Sequence, residues 1–81
     1  MSPTVFREGA FRGFVFSREE RQMHIHIQSP QGEAKFWLEP GIELAENIGF
    51  SERELGRIRK LIERHEHEIR ETWNRHFSGR G

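Results

Sequence analysis

Residues 23–39 read MHIHIQSPQGEAKFWLE, and the order of apolar residues in this stretch predicts a β-hairpin. Residues 23–28 alternate strictly between apolar and polar side chains, as expected of a strand with one buried face. Residues 29–32, Ser-Pro-Gln-Gly, are of the types that form tight turns. Residues 33–39 then return as a second strand, which ends at Pro40 because proline has no N–H to donate to a neighbouring strand.

The register of this hairpin follows from its apolar residues. If Gln28 lies opposite Glu33, then His26 lies opposite Lys35, and the apolar side chains other than Trp37 fall on one face. A shift of one residue would turn this apolar set toward solvent, so the pattern specifies the register. The predicted core face carries Ile25, Ile27, Ala34, Phe36 and Leu38, and the opposite face carries His24, His26, Lys35, Trp37 and Glu39.

An earlier hairpin is predicted over residues 4–17. Two short runs rich in Phe and Val flank Glu8 and Gly9, an acidic residue and a glycine of the kind found in hairpin turns. Residues 17–22, SREERQ, are polar and are predicted to form an exposed loop between the two hairpins. All strands are therefore expected within residues 4–39.

Two helices are predicted after the sheet. Residues 42–48 are interpreted as a short helix, because Asn and Gly follow at its end, as is common at helix C-termini. A long helix is predicted over residues 52–77, where apolar residues recur every three or four positions. Its start has a capping box, with Ser51 as the cap and Glu54 three positions later. Residues 78–81 are expected to fray from its end.

The length of the chain and the order of its elements predict a single domain of the α+β class. The 81 residues leave room for one domain, residues 1–81. The expected fold is a small antiparallel sheet of two hairpins, followed by a short and a long helix packed on one face. His65 falls on the apolar stripe of the long helix, which predicts that its ring packs in the interior or faces a partner.

Composition excludes several classes of function. The chain has no Cys, which removes thiolate metal sites and a thiol nucleophile and favours either a reducing, cytoplasmic location or stabilisation by a partner chain. Its 13 basic and 13 acidic residues balance, so net charge offers no long-range attraction to nucleic acid. No signal peptide, membrane segment, phosphate-binding loop or dinucleotide fingerprint is recognisable, and no cofactor is predicted.

The pair His24 and His26 is the first candidate site. On one face of a strand, two imidazoles lie close enough to bind a metal ion or to transfer protons. A metal site would need a third ligand from elsewhere in the chain, and none is assigned. The pair is therefore a set of solvent-facing histidines, part of a site that contacts nucleic acid or another substrate, or two ligands of a metal site whose third ligand is not assigned.

The residues around this pair suggest what such a site would do. A metal-independent ribonuclease needs only His, Lys, Arg or Glu groups near the scissile phosphate. Trp37 is a large aromatic on the polar face, which often marks a binding surface; the alternative is that the first hairpin or the end of the long helix covers it. The candidate catalytic residues are His24, His26 and Lys35, and the candidate binding residues are Trp37, Glu39 and Arg12.

Four stretches of the chain form a recognisable combination. They are residues 2–7 (SPTVFR), 24–27 (HIHI), 33–40 (EAKFWLEP) and 44–51 (LAENIGFS). Together they resemble a family of small bacterial proteins that is classed as a domain of unknown function, and the resemblance covers nearly the whole chain. Family members tend to carry prolines just before the His-x-His strand, where this sequence has Gln and Met at residues 22–23. That difference changes the loop that leads to the histidines.

The resemblance implies a biological class. Members of that family are often encoded beside another small protein and are suspected components of toxin–antitoxin modules, usually as the toxin. We therefore expect a component of such a module that acts on RNA or on translation. The expected partners are a cognate small protein encoded nearby, RNA and a second copy of the chain in a homo-oligomer, with no membrane partner.

The alternative is a non-catalytic protein-binding module, either the antitoxin or an adaptor. In that case the long helix carries the interface rather than the sheet. Ile69, Trp73 and Phe77 would then be apolar residues that lie beyond the intramolecular core and contact the partner.

Overall fold

The computed structural model describes residues 4–15 and 22–78, which form one antiparallel sheet followed by two helices. The α+β class is therefore confirmed. The five strands neighbour one another in chain order, and every pair is antiparallel. The elements are β1 (Thr4–Glu8), β2 (Phe11–Phe14), β3 (His24–Ser29), β4 (Gly32–Trp37), β5 (Glu43–Ile48), α1 (Glu52–Arg64) and α2 (Glu66–Ser78).

Both predicted hairpins are present, and the predicted register of the second is confirmed. Gln28 pairs with Glu33 and His26 pairs with Lys35 across β3 and β4. Pairing of β2 with β3 joins the two hairpins into one sheet. All five residues of the predicted core face are buried, each with at most 4% of its surface exposed. The loop predicted over residues 17–22 lies, apart from its last residue, outside the described residues.

The short helix predicted over residues 42–48 is wrong, because Glu43–Ile48 form β5 at the edge of the sheet beside β4. Helix propensity is a weak preference, and the backbone groups along the edge of β4 offer a complete set of hydrogen-bond partners that outweighs it. The Asn and Gly that suggested a helix end shape the turn into α1. The Asn47 side chain donates to the carbonyl of Phe50 at 3.0 Å and accepts from its N–H at 3.1 Å, while Gly49 has a φ of 96°.

Replacing Gly49 by Ala is expected to destabilise the protein. A Cβ there would lie 2.4 Å from the carbonyl oxygen of Gln31, and a side chain at this positive φ is strained, at a cost of about 1–3 kcal/mol. At Gly56 in α1 a Cβ would meet no atom within 4 Å, so Gly56→Ala is expected to stabilise by about 0.5–1 kcal/mol. Thermal unfolding should move the two Tm values in opposite directions from the wild type. A Gly49→Ala variant that melts at or above the wild-type Tm would contradict this account.

The single helix predicted over residues 52–77 is interrupted at His65, which separates α1 from α2. His65 has φ −102° and ψ 14°, outside the helical range. Hydrogen bonding continues across the break, because the His65 N–H donates to Leu61 at 3.0 Å and its carbonyl accepts from Ile69 at 2.9 Å. The His65 ring stacks on Phe6 of β1, as predicted for a packed ring on the apolar stripe.

The start of α1 is as predicted. The Glu54 N–H donates to the Ser51 hydroxyl at 3.2 Å, and the Ser51 N–H donates to the Glu54 carboxylate at 2.8 Å, which completes the capping box. At the other end α2 extends to Ser78, and residues 79–81 lie outside the described residues. Within the described ranges, neither helix has the length and apolar character that a membrane span requires.

The helices contribute apolar side chains to the same core as the sheet. Ile58 and Ile62 of α1 and Ile69 of α2 are fully buried, and Trp73 is 4% exposed. The prediction that Ile69 and Trp73 form a partner interface is therefore wrong, because both complete the intramolecular core. Phe77, the third member of that predicted interface, has its side chain outside the described part of the chain.

Candidate functional site

The sheet face opposite the core carries a row of aromatic and basic side chains. The ring of Phe14 stacks on His26, with centroids 5.3 Å apart and planes inclined by 17°. The ammonium of Lys35 lies 4.5 Å from the centre of the Trp37 ring, and Arg12 Cζ lies 4.4 Å from the centre of the Phe14 ring. We call the group formed by Arg12, Phe14, His24, His26, Lys35 and Trp37 the aromatic face.

Strand pairing alone brings this group together. Phe14, His26 and Lys35 are direct partners across β2, β3 and β4, and cross-strand partners point to the same side of a sheet. His24 and Trp37 form the next such pair, two residues along the strands. Because side chains alternate, the residues between them point into the core. The aromatic face and the core are thus two consequences of one register.

His24 is the most enclosed member of the aromatic face, with 0% of its surface exposed. Its ring lies edge-on to Trp37, with centroids 5.7 Å apart, and to Trp73 of α2, at 5.0 Å. Its Nδ1 lies 2.8 Å from the carbonyl oxygen of Gln22; since a carbonyl only accepts, Nδ1 carries the proton of that hydrogen bond. The buried His24 ring therefore supports its neighbours, including His26 at 5.1 Å, rather than meeting a ligand at the surface.

The other members of the aromatic face reach solvent to different degrees. Phe14, His26 and Trp37 are half-buried, and Lys35 is 9% exposed, with its ammonium against the Trp37 ring. A cavity of about 40 Å³ opens between Phe14, His26, Lys35 and Glu46. This volume holds no more than a few water molecules. A larger ligand would therefore lie across the face rather than enter it.

Arg12 and Glu39, the two candidate binding residues at the margins, have different surroundings. Arg12 Nε donates to the Thr4 hydroxyl at 2.8 Å and Nη1 donates to the Gln28 side chain at 3.3 Å, which holds its guanidinium beside the aromatic face. Glu39 lies beyond the end of β4, where its carboxylate accepts a hydrogen bond from Arg70 of α2 at 3.2 Å. The structure thus groups Arg12 with the candidate site and ties Glu39 to the helix.

The structure shows how much of the surroundings of Trp37 is covered. The end of the helical region does cover part of this face, because Trp73 packs over His24. Trp37 itself stays half-buried, with the ring of His24 edge-on to it and the ammonium of Lys35 against its ring. The covered residue is therefore His24, while Trp37 presents part of its indole ring to solvent.

Sequence reasoning missed Phe14 and Trp73 as parts of this site. Phe14 lies two positions after Arg12 in a strand, so alternation along β2 was a signal that both share one face. Trp73 was expected only to pack against the sheet as part of the long helix; its contact with His24 joins residues far apart in the chain, which no local pattern shows. In the part of the chain that the structure describes, no three His or Glu side chains are grouped closely enough to hold a metal ion.

A second cluster of charged residues surrounds His65, away from the aromatic face. Its Nε2 lies 2.7 Å from a carboxylate oxygen of Glu8, and its Nδ1 lies 2.5 Å from one of Glu68. Burial of the ring lowers its pKa, but the hydrogen bonds to Glu68 and Glu8 outweigh this effect, so the pKa of His65 is raised. The hydrogen bond from His65 is the main cause that lowers the pKa of Glu8. The raised pKa of His65 and the lowered pKa of Glu8 both favour a protonated imidazole between two carboxylates.

Stability is expected to be highest between about pH 4.5 and 6.5, bounded by the ordinary pKa values of these two groups. The raised pKa of His65 adds stability that is complete below about 6.5 and is lost as pH rises through the folded-state pKa. The lowered pKa of Glu8 adds stability above about 4.5 that is lost as pH falls through its folded-state pKa. Tm measured against pH should flatten in His65→Gln. An unchanged pH profile in that variant would show that the cluster contributes nothing.

A comparison with known protein families gives a match to this chain. The model of a family described as "Domain of unknown function (DUF4160)" matches residues 11–74, which include every strand but the first, all of α1 and the first two thirds of α2. Comparison with curated proteins and with solved structures found no match.

Proposed function

Since the chain belongs to the DUF4160 family of domains of unknown function, we propose from the geometry of its aromatic face that it is a toxin-like component of a bacterial two-gene module. In this proposal the protein acts on RNA or on a component of translation through that face, and a cognate protein encoded nearby holds it inactive. Glu39, bound to Arg70, takes no part in the contact.

One observation carries the proposal: half-buried rings and basic side chains alternate across the face. Phe14, His26 and Trp37 offer partly exposed rings, and Arg12 and Lys35 lie within 4.5 Å of two of them. Proteins that bind single strands use aromatic rings on which bases stack, together with cations that follow the backbone. The balanced net charge means that short-range stacking, rather than long-range attraction, would supply most of the affinity.

The chemistry available at the centre of the face is proton transfer. His26 and Lys35 are direct cross-strand partners, and His is the side chain that most often transfers protons in catalysis. In the proposed reaction a ribose 2′-oxygen attacks the adjacent phosphorus and the 5′-oxygen leaves; His26 takes the proton from the 2′-hydroxyl and returns it to the departing 5′-oxygen, and Lys35 stabilises charge that develops on the phosphate. His24 is a positioning residue, because its buried ring packs edge-on against the rings of His26 and Trp37.

Regulated expression of the chain alone in a bacterial host tests this proposal. We expect growth arrest with the wild type and normal growth with His26→Ala, which removes a half-buried ring without opening the core. His26→Ala must reach the wild-type cellular level and keep its circular dichroism spectrum for the comparison to count. Arrest that persists in folded His26→Ala would remove that side chain from the mechanism, and no arrest with the wild type would overturn the toxin role.

A protein-binding role is the second candidate, and the edge strand β5 favours it. Leu44 is 42% exposed and Ile48 is 68% exposed, an unusual exposure for large apolar side chains. A strand at the edge of a sheet is a template for pairing with a strand from another chain. An antitoxin or adaptor would therefore use β5 rather than the helices. Absence of growth arrest together with co-purification of the neighbouring gene product would favour this role.

A further inference from the structure

The side of the sheet face nearest β1 carries two arginines in direct opposition. Arg7 of β1 and Arg12 of β2 are cross-strand partners, so both side chains lie on the side of the aromatic face. They line an open cleft of about 520 Å³ together with Thr4, Gln28 and Ser29. A phosphate in this cleft would meet both guanidiniums, and guanidiniums form charge-assisted hydrogen bonds with phosphate oxygens.

The guanidinium of Arg12 is held in place before any ligand arrives. Its bonds to Thr4 and Gln28 and its stacking over Phe14 restrict the side chain on three sides. A pre-positioned guanidinium loses less side-chain entropy on binding than a mobile one. Arg7 is exposed and lies on the outer strand, so it can close on a phosphate from the solvent side.

The arginine cleft continues directly into the aromatic face. From Arg12 the row passes to Phe14, then to its partner His26, and then to Lys35 on β4. Neighbouring strands lie about 4.8 Å apart, so the distance from β1 to β4 is about 14 Å, enough for more than one nucleotide. Cations at both ends with rings between them match the alternation of phosphates and bases in a single strand.

The opposite margin of the face carries the reverse charge. Glu46 is the cross-strand partner of Lys35, Glu43 is the partner of Trp37, and both glutamates are exposed on β5. Carboxylates there repel phosphates, whereas the arginines at the β1 margin attract them. The charge of the face therefore directs a nucleic-acid backbone toward β1 and β2.

We infer that the cleft between Arg7 and Arg12 is a phosphate-binding subsite for single-stranded RNA, whose bases stack on the aromatic face. This inference rests on the proposed function, from which it takes RNA as the target. Phe14, His26 and Trp37 offer flat rings for stacking. Only unpaired bases expose the faces that can stack on these rings, so duplex RNA is not a ligand.

Fluorescence anisotropy with a labelled ten-nucleotide oligouridylate tests the subsite. Removing one phosphate contact makes the slope of log affinity against log salt shallower by about 0.7 for a single strand. We expect that shift in Arg7→Gln, together with an equal loss of affinity for oligouridylate and oligoadenylate, because a phosphate contact carries no base preference. In Arg12→Met, which removes the guanidinium and keeps an unbranched side chain, we expect the same shift with an unchanged fold by circular dichroism.

The matched control is Arg57→Gln. Arg57 is exposed on α1, where Arg53, Arg57 and Lys60 form another group of cations at helical spacing. The inference predicts the wild-type salt slope in this variant. A changed salt slope in Arg57→Gln with an unchanged slope in Arg7→Gln would place the RNA backbone on α1 and overturn the inference. Binding of duplex RNA with the same affinity as single-stranded RNA would also overturn it.

The binding and growth experiments distinguish an error in the proposed subsite from an error in the proposed toxin role. Arrest that depends on His26, with no oligonucleotide binding by the wild type, would overturn the subsite and leave a component of translation as the target. Binding that depends on Arg7 in a chain that does not arrest growth would support the subsite and overturn the toxin role.

Discussion

Replacing Trp37 by Ala is expected to weaken binding of single-stranded RNA by about 5- to 150-fold and to abolish growth arrest. The range corresponds to the loss of one stacked base, which is worth about 1–3 kcal/mol. Trp37 is half-buried, so the substitution also removes its contacts with Lys35 and His24. Those contacts are worth about 1–2 kcal/mol together beyond the area that they bury, so the circular dichroism spectrum of the variant must match that of the wild type. Anisotropy titration and a growth curve measure the two effects.

Leu44→Ala is the matched control for Trp37→Ala. Leu44 is also a partly exposed apolar residue of the sheet, but it is the cross-strand partner of Phe36 and lies on the opposite face. Its truncation should leave both RNA affinity and growth arrest unchanged. Equal loss in the two variants would show that general loss of stability, rather than the aromatic face, explains the result for Trp37.

Replacing Trp73 by Ala is expected to destabilise the protein by about 3–5 kcal/mol, the usual cost of truncating a buried Trp. Trp73 is 4% exposed and packs on His24, so its loss leaves a cavity and opens a buried imidazole to water. A protein of this length has a total stability of about 4–12 kcal/mol. The substitution therefore removes a large part of the free energy of unfolding. Chemical denaturation of the variant measures the change.

Arg75→Ala provides the comparison for Trp73→Ala. Arg75 is exposed two positions later on the same helix, and its truncation should change stability by no more than about 0.5 kcal/mol. Proton exchange at the His24 ring offers an independent readout, since it should be fast in Trp73→Ala and slow in the wild type and in Arg75→Ala. Slow exchange at His24 in Trp73→Ala would mean that another group covers the ring.

The candidate site was only partly accessible from the sequence. The pairing of His26 with Lys35 and of His24 with Trp37 followed from the alternation of apolar residues, and the structure has the same pairs. The different exposure of the two histidines did not follow. Alternation states on which side of a sheet a residue lies, but whether that side is open depends on what packs against it.

Two features of the fold were also beyond sequence reasoning. β5 has residues that favour a helix, and it is a strand because the edge of β4 lies beside it. The break at His65 interrupts an otherwise regular apolar stripe, where the ring meets Phe6 and Glu8 of the first strand. The contacts of His65 join segments far apart in the chain, and the pairing of β5 with β4 is hidden because the residues of β5 favour a helix.

The sequence by itself determined the register of the central hairpin, which follows from the alternation of apolar residues along two consecutive strands, and the capped start of α1, which depends on residues three positions apart. Only the tertiary structure decided that His24 is enclosed by Trp73 while Trp37 and His26 stay partly open. The physical reason is that burial is a property of the packed chain: the path of α2 past the sheet, set by distant contacts, selects which side chains of a face meet solvent.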